Sequence, residues 1–108
     1  MEDARDRVGP GTAAQGEAQV ELLAAAARHA LERAGLTDLI EELERRVLGR
    51  PTQETCDIVQ MEGGGTHVAF KPMIELLLLE VKHVARAPHI TDVHRRERIR
   101  LAMTLAGV

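Results

Sequence analysis

The stretch "PMIELLLLEVKHVAR", from Pro72 to Arg86, constrains the fold more than any other part of the chain. Proline suits the first turn of a helix, where its missing N–H has no partner to lose. On a helical wheel Ile74, Leu77, Val81, Val84 and Ala85 form the centre of an apolar face, with Leu76 and Leu78 on its flanks. Glu75, Lys82 and Arg86 share the opposite side, yet Leu79 lies among them. The apolar arc is wider than one packing contact uses, so this helix needs cover on two sides. A second chain is a natural cover, and Ile74, Leu77, Leu78 and Val81 are its expected contact. On that expectation Leu78→Glu separates two chains without unfolding either.

Changes of period locate the other elements. Val20, Leu23, Ala27, Leu31 and Ala34 fall on one helical stripe in an alanine-rich segment that begins at Glu17. Alanine is the best helix former, and Gly35 stands where a helix ends in a left-handed residue. Leu36, Leu39, Ile40, Leu43 and Val47 restart the pattern at once. Asp38 and Glu41 have capping-box spacing there, and Gly49 ends the pattern before Pro51. Two helices joined so tightly are expected to pack as an antiparallel hairpin.

After the loop "GRPTQET" the period falls to two. "DIVQM" and "THVAF", separated by "EGGG", predict a β-hairpin. "RAPHIT" breaks the Pro72 helix, and Thr91 or Asp92 can cap a last helix running to Leu105. Its first half, "DVHRRERIR", is charged all round and expected to project; its second, "LAMTLAGV", is expected to dock. The fold class is α+β and mostly helical: a helical hairpin, one β-hairpin and two C-terminal helices. A small single domain over 17–108 would come after a flexible tail at 1–16, which mixes charges with Gly-Pro-Gly and has no apolar period.

Composition narrows the function classes. Phe70 is the one aromatic residue in the chain. Stacking on unpaired bases and cation–π cages need rings, so single-stranded nucleic acid is disfavoured as a partner. One cysteine, Cys56, leaves no intramolecular disulfide to form. No stretch has the build of a signal peptide, and no apolar run approaches the roughly 20 residues that span a bilayer. The expected setting is cytoplasmic, away from membranes. Charge is uneven along the chain: residues 1–62 carry 13 acids against 7 bases, a balance of −6, and residues 63–108 carry 4 against 7, a balance of +3.

Glu80 and His83, in "EVKH", project from one flank of the apolar helix. Their spacing resembles the Glu-x-x-His of ferritin-like di-iron proteins, a resemblance of four residues. It implies a carboxylate and an imidazole on one metal pair, with a second copy of the motif supplied by a dimer. The plain alternative is a solvated i, i+3 pair on the helix surface. His89 and His94 lie close enough in sequence to meet, and with Glu80 and His83 they complete a candidate Zn, Fe or Cu set. The expectation is nonetheless that no cofactor is used. Gly63–Gly65 lacks the Lys-Ser/Thr ending of a phosphate loop and fits a hairpin tip.

Helix, helix, two-stranded wing and helix is also the order of winged-helix regulators, and Arg95, Arg96, Arg98 and Arg100 form a basic segment. Against DNA stand Glu62 at the wing tip and an overall charge of −3. The primary expectation is a non-enzymatic interaction, regulatory or adaptor module. It would self-associate as a homodimer or dock on a larger protein, with those four arginines as a charged rim for an acidic partner. A dimeric DNA-binding regulator and a metal-binding protein are the alternatives.

Overall fold

The computed structural model describes residues 10–108. The expected tail therefore lies outside the described residues as far as position 9. From Pro10 the backbone is already helical, and α1 (Pro10–Arg33) starts seven residues before Glu17. Ala27 and Leu31 of its stripe are buried, and so are Ala24 and Ala30 beside it. Gly35 ends it with φ +76. Its N–H donates to Glu32 O at 3.0 Å and that of Leu36 to Leu31 O at 2.9 Å, the paired bonds of a Schellman turn. Leu31 and Leu36 are both fully buried, which supplies the apolar contact that accompanies this turn.

Helix α2 (Thr37–Leu43) comes directly after it. The expected capping box does not form: Leu36 is the N-cap residue and no side chain caps the helix. The Asp38 carboxylate is turned instead to Arg96. From Glu44 to Leu48 the helix widens into one π turn, closed by Gly49 N–H donating to Glu44 O at 2.7 Å. Leu43 and Val47 both reach the core across it. A Cβ on Gly49 would stand 2.9 Å from Glu44 O, a backbone atom that cannot swing aside. Gly49→Ala is thus expected to lower stability by about 1–3 kcal/mol, the usual range for forced overpacking. Thermal or denaturant melts of the variant check this; a neutral result would mean the π turn relaxes freely to α.

The loop before the hairpin contains a single helical turn, α3 (Thr52–Thr55), entered from Pro51 at φ −56 and ψ 144. Strands β1 (Cys56–Gln60) and β2 (Thr66–Phe70) pair antiparallel, with Cys56 opposite Phe70 and Gln60 opposite Thr66. Met61, expected in the first strand, belongs to the turn: its N–H donates to Gly65 O at 2.9 Å. Gly63, Gly64 and Gly65 all have positive φ, so the glycine run is required by the turn's backbone. The hairpin lies along α1 through β2. Only Cys56 is buried in β1, and Ile58 and Val59 are exposed on opposite faces.

Helix α4 (Pro72–Arg86) has proline in its first turn, as expected. After a short turn, Thr91 Oγ1 accepts from His94 N–H at 3.3 Å and caps α5 (Asp92–Leu105). The chain is α+β and mostly helical, with one two-stranded antiparallel sheet. The core is aliphatic and comes from the four longer helices: Leu31, Leu39, Leu43, Leu78, Val81, Ile99 and Met103 are fully buried together. No described helix is long and apolar enough to cross a membrane.

Two expectations about the C-terminal helices are corrected. Ile74, Leu77, Leu78 and Val81 are 4%, 2%, 0% and 0% exposed, so they form the chain's own core and are closed to a second chain. The wide apolar arc of α4 is covered from within, by α1 on one side and α5 on the other. The first half of α5 also docks, since Ile99 is fully buried and Arg95 and Arg96 are half-buried.

Candidate interaction surface

Covering α4 from two sides leaves a third side open. Met73 and Leu76 stand on it, one helical turn apart, and Glu80 comes one turn further on. Leu101 and Leu105 of α5 lie beside them. The Ile99 and Met103 side of that helix faces the core, so its neighbouring stripe must face solvent. The helices run in opposite senses, because Met73 shares the groove end with Leu105 and Ala106, whereas Glu80 pairs with Arg98 at 3.0 Å. The result is an open groove of about 460 Å³. Leu105 is 68% exposed, Leu76 59%, Leu101 57% and Met73 50%. Large apolar side chains this exposed are ordinary singly, but four around one groove mark a place where another surface can be buried.

The groove is graded along its length. At the end near Pro72 it is wholly apolar; its middle is closed by the half-exposed Glu80–Arg98 pair. Beyond the pair come histidines. His83 stands among Leu79, Lys82, Arg86 and Pro88, and His89 and His94 share a shallow recess with Ile90, Glu97 and Arg98. The structure thus brings His89 and His94 together, as their spacing suggested, but separates them from His83. Among the described residues no group of three or more histidine, cysteine, aspartate or glutamate side chains is placed to hold a metal ion. Glu80 is occupied by Arg98, and the neighbours of His83 are cationic, a setting that repels a metal ion. The candidate set of Glu80, His83, His89 and His94 is therefore not assembled.

Each arginine of the expected rim also has a partner inside the chain. Arg96 donates to both carboxylate oxygens of Asp38, at 2.9 and 3.2 Å. Arg100 donates to Glu42 at 3.0 Å, and Arg98 pairs with Glu80. Arg95 reaches Asp92 at 2.8 Å and also donates to Ala87 O. The acidic α2 and basic α5 are thus two halves of one ion-pair network, which the uneven charge along the chain foreshadowed. Glu42 is its hub: Arg46 reaches it at 2.7 Å while also donating to Val108 O at 2.6 Å, which ties the C-terminus to α2.

Burial pushes the Glu42 carboxyl up, but hydrogen bonds from Arg46 and Arg100 outweigh it and hold the group below the usual glutamate value. Asp38 is lowered chiefly by its hydrogen bond from Arg96. A carboxyl with a depressed native value adds stability above the unfolded-state value, about 4.3 for glutamate, and loses it as pH falls through the native one. Glu42→Gln is expected to melt below the wild type at pH 7 and to lose less than the wild type between about pH 5 and pH 3. Equal pH slopes for the two proteins in thermal melts would show that Glu42 is not part of the linkage.

Compared with known protein families, with curated proteins and with solved structures, the chain matches none.

Proposed function

We propose that the chain is a non-enzymatic protein-interaction module, regulatory or adaptor in role, that binds through the groove between α4 and α5. The observation that carries this reading is the convergence of Met73, Leu76, Leu101 and Leu105, all half or more exposed, around one groove. Burying apolar surface contributes about 25 cal/mol per Å², and a firm helical floor under these side chains limits the ordering cost of binding. The arginines of α5 support the same reading. They are already matched to α2, Glu80, Asp92 and Ala87 O, so an apolar partner suits this face better than a polyanion.

The test is a photo-cross-linking side chain placed at Leu101 and, as a control, at Glu62 on the hairpin tip, in cells making the full chain. A discrete covalent adduct from position 101 and none from position 62 is expected. Labelling that is equal at both positions, or absent from both, would overturn the reading.

A further inference from the structure

We infer that the occupant of the α4–α5 groove is a second copy of this chain, packed with α4 of each copy against α5 of the other about a dyad parallel to the helices. This rests on the interaction-module reading and names its partner.

The argument is the order of levels along the groove. Because α4 and α5 run in opposite senses, the groove has matched rungs: Met73 with Leu105, Leu76 with Leu101, then Glu80 with Arg98. A dyad parallel to the helices keeps every rung at its own height and swaps left for right. Leu76 then meets Leu101 of the second copy, and Glu80 meets Arg98 of the second copy. The two internal ion pairs become a ring of four alternating charges, with each carboxylate between two guanidiniums. A dyad across the helices would invert the order: an axis through the charged rung sets Glu80 against Glu80 and Arg98 against Arg98, and an axis through the Leu76 rung sets that charged rung on Met73 and Leu105. Charges buried against apolar surface without a partner are strongly disfavoured. The groove is complementary to itself in one arrangement, and in that arrangement neighbouring helices are all antiparallel, which also suits their dipoles.

Glu80 and Arg98 are half-exposed, so both have room for a second contact. No other arginine of α5 offers this, because Arg96 and Arg100 point to α2 and Arg95 is held by Asp92 and Ala87 O.

The experiment uses sedimentation velocity and native mass on the full chain, on Glu80→Arg, on Arg98→Glu, and on an equimolar mixture of the two variants. The wild type is expected to be a dimer at tens of micromolar. Each variant alone carries four like charges in the ring and is expected to dimerise at least tenfold more weakly. The mixture sets an all-basic rung against an all-acidic one and should recover a heterodimer at the wild-type concentration.

A wild type that stays monomeric at every concentration overturns this inference and leaves the module reading to the photo-cross-link, whose adduct would then be another protein. A wild-type dimer insensitive to both reversals overturns it too, by placing the interface elsewhere. So does weakening of each variant without recovery in the mixture, which would confine the pairing to one chain. Circular dichroism reports whether each variant is folded. Should either fail to fold, Leu76→Cys and Leu101→Cys proteins take their place. A mixed disulfide between those two supports the arrangement, and a disulfide within each population alone overturns it.

Discussion

Leu78→Glu unfolds the chain. That is the expected result, and it is the opposite of the clean separation into folded monomers that an α4 offering its central leucines to a partner would give. Leu78 is fully buried in the aliphatic core, in contact with no solvent through which a carboxylate could be hydrated. Removing the leucine side chain by itself costs about 2–5 kcal/mol in a core of this kind. An unpaired carboxylate adds several kcal/mol more, or forces the glutamate to stay protonated well above its usual range. The total rivals the about 5–15 kcal/mol that holds a typical domain together. Circular dichroism at 25 °C and neutral pH decides the matter: loss of helical signal is expected, and a folded variant of lower mass would return Leu78 to an interface. Leu101→Glu is the matched control. The same substitution on the exposed side of α5 should leave the helical signal intact.

The second large effect is expected from Ile99→Ala. "DVHRRERIR" is so charged that its half of α5 is expected, from sequence, to stand away from the body. Yet Ile99 is fully buried beside Met103, and it is the one large apolar residue that this half puts into the core. Truncating it should lower stability by about 2–5 kcal/mol, seen as a lower denaturant midpoint with little change in slope. A loss under about 0.5 kcal/mol, the range of ordinary surface substitutions, would show that the Arg-rich half of α5 does project.

Most of the element boundaries were legible because each has a local cause. Gly35, Pro72 and Thr91 act through their own backbone or side chain within a few residues, so sequence alone places them. The triple glycine did the same for the hairpin tip. The π turn was not legible: nothing in "ERRVL" departs from α-helical pattern. The same holds for Asp38. Its spacing from Glu41 suits a cap, but Arg96 lies 58 residues away in sequence and wins the carboxylate.

The interaction surface was half legible. A wheel shows that α4 is apolar beyond one face, but it offers Ile74, Leu77 and Val81 to a second chain when they are the chain's own core. It cannot show which of two adjoining stripes is left over once α1 and α5 have docked. On α5 the choice lay between Ile99 with Met103 and Leu101 with Leu105, pairs of equal spacing and similar apolarity. Long-range partners settled it. The one rotation of α5 that buries Ile99 and Met103 also turns the arginines at 96 and 100 toward the acids of α2.

The way the β-hairpin is attached divides the chain into parts of unequal permanence. β1 contributes nothing to the main core, and β2 meets it only through the half-buried Phe70 at its margin. Opening the hairpin uncovers Cys56, Val68 and Phe70 and breaks one short ladder, whereas exposing Leu39 or Val81 requires the helices to part. The amides of β1 can therefore trade hydrogen with solvent through small local excursions, while those at the centre of α4 wait for the rare unfolding of the whole body. A protease present in the same solution would meet the glycine tip many times before it ever met a helix.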